Sequence, residues 1–276
     1  MARQPCFCPY CGPGTPIRLL RRKKLVLNIL KCESCGLIFR WPMDTAEEAE
    51  TYYQEQFFAV NYPPQRRAPY QAELKQLLAT NFAGTAVDAN AKIQILKSIR
   101  PTGRVLDYGC SWGFATYQLC HHGFDAVGFE ISRPRAEYAR ERIGVKVLDS
   151  FADLSALPDG SFDVIFSNHV VEHLTKVRET FELMFRLLAP GGVAFHVLPN
   201  FTGKIAREGM WIMWIGEEHP LAPTSDFFQR NLPRHGFTRV DLGSSPFDDQ
   251  LATALTSGDT TKVSMDGYEL LVVAHK

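Results

Sequence analysis

The sequence predicts an α/β fold in which a doubly wound parallel sheet follows a small four-cysteine module. Three observations carry that expectation. From residue 104 onward, short apolar segments alternate with helical ones. A glycine-bearing turn, Val105-Leu-Asp-Tyr-Gly-Cys-Ser-Trp-Gly113, joins the first strand of that series to its helix. Five of the seven cysteines crowd into the first 35 residues, four of them as C-x-x-C-G pairs.

The module spans residues 1–42. Cys8-Pro-Tyr-Cys11-Gly and Cys32-Glu-Ser-Cys35-Gly flank two short strands around a basic turn, which is a zinc-ribbon layout. Each pair can aim two thiolates at one ion, and its trailing glycine permits the tight turn behind them. Cys8, Cys11, Cys32 and Cys35 would complete a tetrahedral shell, so the zinc is expected to be structural, with no open position for chemistry. Redox-active dithiols are the minor alternative. Cys6 would give an unusual spacing and is read as a bystander. An odd cysteine count makes a poor disulfide framework and fits a reducing compartment.

Residues 43–100 read as a helical linker and cap. A helix is expected from Asp44 to about Phe58, with Asp44 or Thr45 as N-cap and acids in its first turn. A proline-rich link follows, then helices over Tyr70 to Phe82 and Asp88 to Ile99. Residues 101–276 carry the α/β pattern. Strands are expected at 104–109, 125–130, 145–148, 162–167 and 193–198, with helices at Phe114 to His122, Pro134 to Arg142 and Lys176 to Leu188. After Pro199 the regularity breaks into a Trp- and Met-rich stretch, then a helix at 225–236 and two final strands, 237–243 and 268–276.

The turn after the first strand places Asp107 at the strand end and Gly109 and Gly113 in the bend, where backbone can approach a ligand and a helix N-terminus offers N–H groups. A glycine turn alone is weak, because nicotinamide and flavin proteins use one too. Glu130 ends the next strand and is suited to accept two ribose hydroxyl protons. Asp149 closes the third strand, ahead of Phe151, where an adenine edge and face could be held. Asn168 to His173 follows the fourth strand, in the crevice where doubly wound sheets bind ligands.

On these residues the chain resembles the class I S-adenosylmethionine-dependent methyltransferases. VLDYGCSWG is similar to their first motif, GFEIS to their ribose motif, and SFDVIFSNHVVEHL to the fourth strand and following turn of the ubiquinone-type subgroup. The likeness runs from about residue 90 to 276 and implies a Rossmann-like sheet of seven strands ending in a hairpin. It also implies that Asp107, Gly109, Cys110, Ser111 and Gly113 surround the cofactor's methionyl part, that Glu130 binds the ribose, and that Ile131 and Phe151 flank the adenine. Ser111 departs from the middle glycine of the motif and should alter the loop modestly. The four-cysteine module, followed by GLIFRWP and Tyr52-Tyr53, resembles bacterial methyltransferases of surface-polysaccharide and sugar pathways.

Methyl transfer from a sulfonium is an in-line displacement, so a side chain is needed only to take up a proton. His169, Glu172 and His173 stand at i, i+3 and i+4, and a helix would put them on one face. Three readings are open. His173 is a base or positioning group, since histidine titrates near neutrality. All three hold a divalent cation, as the resemblance to ubiquinone-pathway enzymes implies, with His169 where an acid is expected. Or Glu172 and His173 only hold the helix start. His219 is the second candidate base, in a lid segment of about residues 201–236 whose Trp211 and Trp214 either stack on an acceptor or, with Met210 and Met213, belong to the core.

Lys+Arg and Asp+Glu both total 30, so net charge is zero, which argues against a nucleic-acid enzyme without excluding one. Residues 1–40 nevertheless hold eight basic groups against one acid. No stretch is apolar enough for a membrane span and the start lacks a secretory signal, so a cytoplasmic location is expected. The resulting expectation is methylation, on oxygen or carbon, of a small molecule or glycan precursor. The alternatives are an RNA methyltransferase gripping phosphates with its basic ribbon, and a non-catalytic cofactor-binding scaffold.

Overall fold

The computed structural model of the chain describes residues 6–23, 26–56, 68–69, 71–209, 214–216, 219–260 and 263–276. They build two sheets. In the first, β1 (Ile17–Lys23), β2 (Leu27–Cys32) and β3 (Ile38–Trp41) pair antiparallel in that order. The sequence pointed to only two of these strands. A fourth, β9 (Leu221–Ala222), comes from the segment expected to form the lid and pairs with Ile38 and Phe39.

Helices α1 (Ala46–Thr51), α2 (Gln71–Ala79) and α3 (Asn90–Ile99) connect this sheet to the second. The Thr45 hydroxyl accepts from the Glu48 amide while the Glu48 carboxylate accepts from the Thr45 amide, so the start of α1 is satisfied on both sides. The helix expected to reach Phe58 changes at Tyr52–Gln56 into a wider π turn. Phe57 and Phe58 lie outside the described residues, as does Tyr70.

The second sheet has seven strands in the order β10-β11-β8-β7-β4-β5-β6. Its parallel part comprises β4 (Arg104–Tyr108), β5 (Asp125–Phe129), β6 (Val147–Leu148), β7 (Phe162–Asn168) and β8 (Leu188–Pro199). β11 (Glu269–His275) inserts antiparallel between β8 and β10 (Arg239–Ser244), so the sheet is mixed and not wholly parallel. The final two strands are not a simple hairpin, because a helix, Asp249–Ser257, sits between them.

Around the sheet run α4 (Phe114–His121), α5 (Arg133–Tyr138), α6 (Phe151–Ala156), α7 (Val177–Leu187), α8 (Lys204–Arg207), α9 (Ser225–Asn231) and α10 (Asp249–Ser257). The pattern is clearest in α7, where Val177, Thr180, Phe181, Met184 and Leu187 are buried at three- and four-residue spacing. Phe181 and Met184 join a core that takes in Phe129 and Phe227 and also Tyr10, Leu37 and Phe39 of the cysteine module. The module is therefore packed into the same apolar interior as the sheet. No helix among the described residues is long and apolar enough to cross a membrane.

Candidate active site

The chain runs outward from β4 to β6 and returns to β7, so strand order reverses between β4 and β7. Doubly wound sheets open a ligand crevice at the carboxyl ends of such a pair. Asp107, on β4, is buried, and its Oδ2 accepts from the Thr116 hydroxyl at 2.7 Å. Burial raises its carboxyl to about 7, the Thr116 bond opposing.

Gly109 has φ +80°, and a Cβ there would lie 2.5 Å from Val170 Cγ2. The glycine is thus required by the close passage of the turn after β7. Three of the turn's amides are already engaged within the protein. Gly109 and Cys110 both donate to the Phe129 carbonyl, at 2.8 and 3.0 Å, and Ser111 donates to Glu130 Oε2 at 2.9 Å. The Cys110 sulfur packs beneath the turn against Gly128. Ser111 adopts φ +51°, an uncommon conformation for a residue with a Cβ. Its Oγ accepts from Arg135 Nη1 at 2.6 Å, and that guanidinium lies 4.8 Å from the centre of the Trp112 ring. Serine in place of glycine therefore comes with a buried arginine that holds it.

Glu130 is buried at the end of β5, and its two oxygens accept the Ser132 and Ser111 amides at 2.8 and 2.9 Å. These bonds fix the carboxylate and leave lone pairs for two further donors. Ile131 presents its carbonyl to Gln54 Nε2 at 2.6 Å, and the Arg133 amide donates back to Gln54 Oε1 at 3.2 Å. Gln54 carries no signal in the sequence because its partners lie some 80 residues away. Asp149 is paired with Arg140 at 2.9 Å, and the exposed Phe151 ring stands edge-on to Phe129, centroids 4.9 Å apart. Asn168 Oδ1 accepts from Lys92 Nζ at 2.9 Å.

The turn after β7 differs from the helix expected. His169 sits at φ +57°, and only Val171–His173 form a short 3-10 turn. His169 swings out between two acids, with Nδ1 3.2 Å from Glu172 and Nε2 2.8 Å from Glu269. Burial opposes its charge, but the two carboxylates prevail and raise it to about 9. Lys92 bonds Glu269 at 2.6 Å, extending the network to α3. Glu172 is fully buried, and among the described residues neither of its oxygens accepts a hydrogen bond of ordinary geometry.

His219 arrives from the segment before β9. Its ring lies 4.8 Å from that of His173, centroid to centroid, and stacks on Trp214 at 6.1 Å. Its Nδ1 is 2.9 Å from the Trp214 carbonyl. A carbonyl can only accept, so Nδ1 carries a proton, and in the neutral ring Nε2 is the acceptor nitrogen. Glu172, His173 and His219 offer ligand atoms within 4.8 Å of one another, so this cluster, and not His169, could also receive a cation. Met210, Trp211 and Met213 lie outside the described residues.

At the other end, the Cys8, Cys11, Cys32 and Cys35 sulfurs all lie within 4.8 Å of one another, with Cys8 to Cys35 at 3.6 Å and Cys11 to Cys32 at 3.9 Å. Ligand bonds of about 2.3 Å in a tetrahedron demand sulfur separations of about 3.8 Å, so the four fit one ion. Cys6 is exposed and outside the cluster.

Comparison with known proteins identifies the family and the fold. A family model described as a methyltransferase domain matches residues 65–242. The chain is 29% identical over 177 residues to the 2-methyl-6-phytyl-1,4-hydroquinone methyltransferase of Synechocystis sp., covering 58% of this chain and 55% of that protein. Against the ubiquinone biosynthesis O-methyltransferase of Sinorhizobium medicae it is 32% identical over 108 residues, 37% of this chain and 44% of the relative. Phosphoethanolamine N-methyltransferase 1 of Zea mays is 35% identical over 101 residues, 34% of this chain and 20% of the relative. The chain thus spans about half or less of these curated relatives. Among solved structures, an S-adenosylmethionine-dependent methyltransferase from Archaeoglobus fulgidus superposes with TM-score 0.54 at 18% identity, over 73% of this chain and 99% of that one. The chain belongs to the methyltransferase-domain family, and its seven-stranded sheet is the S-adenosylmethionine-dependent methyltransferase fold.

Proposed function

We propose that the protein methylates a small molecule or glycan precursor, on oxygen or carbon, with His173 and His219 facing the acceptor. The observation that carries this reading is the pairing of the two imidazoles at 4.8 Å beside the crevice that holds Asp107 and Glu130. S-adenosylmethionine, when bound, supplies an electrophilic methyl group. The chain's own residues then have three tasks. Glu130, held by two amides, binds the ribose hydroxyls, while Ile131, Asp149 and Phe151 border the adenine. Asp107 and the turn from Gly109 to Gly113 receive the methionyl part, and Asn168 closes that side. His219 Nε2 takes the acceptor's proton, since Nδ1 is committed to the Trp214 carbonyl.

The four cysteines hold a structural zinc, with no position left for substrate. Cysteines kept as thiolate ligands suit a reducing, cytoplasmic setting. The module's burial against the core favours a small-molecule enzyme over one that extends its ribbon along RNA. A labelled-methyl screen over sugar nucleotides, quinones and RNA tests the reading. Transfer to a small molecule is expected, and transfer to RNA alone would overturn it.

His219→Asn should lower kcat by about a hundredfold, the usual contribution of a general base, while S-adenosylhomocysteine affinity stays unchanged. His173→Asn should act in the same direction. A loss confined to cofactor affinity would remove both from the acceptor side.

Asp107 gives a pH prediction. Burial raises its carboxyl to about 7, and it must ionise to accept the cofactor's ammonium. Affinity should therefore rise several-fold from about pH 6 to about pH 7.5, then flatten. Calorimetry across that range checks the slope, which should vanish in Asp107→Asn.

A further inference from the structure

We propose that the cysteine module is a positioning element of the acceptor site, and that Lys23 is the residue through which it fixes the His219 loop. The proposal rests on the reading of His219 given above.

Trp214, Gly216 and His219 are bonded to one another. The Gly216 amide donates to the His219 carbonyl at 3.1 Å, and His219 Nδ1 donates to the Trp214 carbonyl at 2.9 Å. Bonds that close a loop internally fix its shape but not its place. What places it is the module. Lys23, at the end of β1, donates from Nζ to the Ile215 carbonyl at 2.8 Å, 192 residues away in the chain. The approach is close enough that a Cβ on Gly216 would lie 2.9 Å from that nitrogen. On the far side of His219, the Arg40 amide donates to the Pro220 carbonyl at 2.9 Å, and β9 continues as a strand against β3. Between these two attachments, Ile215 and Ala222 pack with Ile29 of β2 and with Phe201.

The module is in turn anchored to the core next to its cysteines. Asn231 Nδ2 donates to the Cys35 carbonyl at 2.9 Å, and Arg178 Nε donates to the Tyr10 carbonyl at 2.9 Å. The Tyr10 hydroxyl meets His235 Nε2 at 2.9 Å. A rigid path therefore runs from α7 and α9 through the cysteine centre and β3 to the loop that presents His219 to His173. A basic face meant only for solvent would not spend a lysine on a distant backbone carbonyl.

The test compares Lys23→Met, which keeps the stem and removes the donor, with Lys23→Arg, which restores one, and with Arg22→Met as a charge-matched neighbour. Amide exchange at Ile215 and Leu221 and the His219 Cε1–H resonance report the loop without any acceptor. In Lys23→Met, exchange should quicken by about tenfold, the scale of one charge-assisted hydrogen bond, and the resonance should shift. S-adenosylhomocysteine affinity should hold, and Lys23→Arg should recover the wild-type signals. With the acceptor found by the screen, kcat should fall and KM hold. Removing metal from the full chain should reproduce the loop changes.

Unchanged exchange and resonance in Lys23→Met, or equal changes in Arg22→Met, would overturn the proposal. A KM effect with an unmoved loop would make Lys23 a direct acceptor contact instead. The two readings fail separately. A loosened loop in Lys23→Met with full activity in His219→Asn removes the base and leaves the coupling, whereas an inactive His219→Asn with an unmoved loop does the reverse.

Discussion

Glu130→Ala is expected to weaken S-adenosylhomocysteine binding by at least about a hundredfold, because two charge-assisted bonds to hydroxyls are each worth about 1.5–3 kcal/mol. The carboxylate has a second job that enlarges the effect. It accepts the amides of Ser111 and Ser132, so its removal also frees the turn that lines the methionyl side. Glu130→Gln is nearly isosteric and keeps one acceptor oxygen, so it loses one of the two amide bonds and its effect should be smaller than that of Glu130→Ala by about tenfold. Calorimetry measures both variants, and a melting curve shows whether the fold survives. Burial already pushes this carboxyl upward, so the alanine variant removes a group that is costly to keep charged and should not unfold the chain. Wild-type affinity in Glu130→Ala would take the ribose role away from this residue.

That Glu130 stands out in the sequence reflects where it sits. Asp107 and Glu130 each terminate a buried strand whose apolar run is legible, and the topology of doubly wound sheets carries both ends to one crevice. The clustering of the two cysteine pairs was equally legible, because their C-x-x-C spacing is local. Legibility ends where a contact joins distant segments. The pairing of Ile38 and Phe39 with Leu221 and Ala222 involves a two-residue strand, too short for any alternation to register. The partners of His169 illustrate the same point. Glu269 lies 100 residues downstream at the start of β11, and the +57° φ of His169 breaks the helix that its spacing suggested.

At the site, one grouping expected from helical spacing differs in the structure. His169, Glu172 and His173 looked like a unit by helical spacing. The backbone instead turns His169 outward to Glu269 and brings His219, from the segment before β9, against His173. Burial explains why Glu172 stays central to both arrangements. A fully buried carboxylate must be compensated, and the imidazoles of His169 and His173 are the groups at hand, at 3.2 and 4.0 Å.

Cys32→Ser is the second change with a large expected effect. Structural zinc in small modules contributes about 10–16 kcal/mol of apparent binding free energy, comparable with or above the about 5–15 kcal/mol that stabilises a whole domain. Cys32 is fully buried and ends β2, so its replacement leaves a hydroxyl facing three sulfurs. Metal content of the purified protein should fall from about one ion per chain to near zero. The damage should also spread beyond the module. Tyr10, Leu37 and Phe39 share a buried cluster with Phe181 and Phe227, and β3 carries β9. Melting should therefore drop for the chain as a whole and not as a separate early transition. Cys6→Ser is the matched control: the thiol is exposed and stands apart from the four, so metal content and melting should stay as in wild type. A metal-free Cys32→Ser protein that melts within about 2 °C of wild type would mean that packing alone, and not the ion, holds the module against the core.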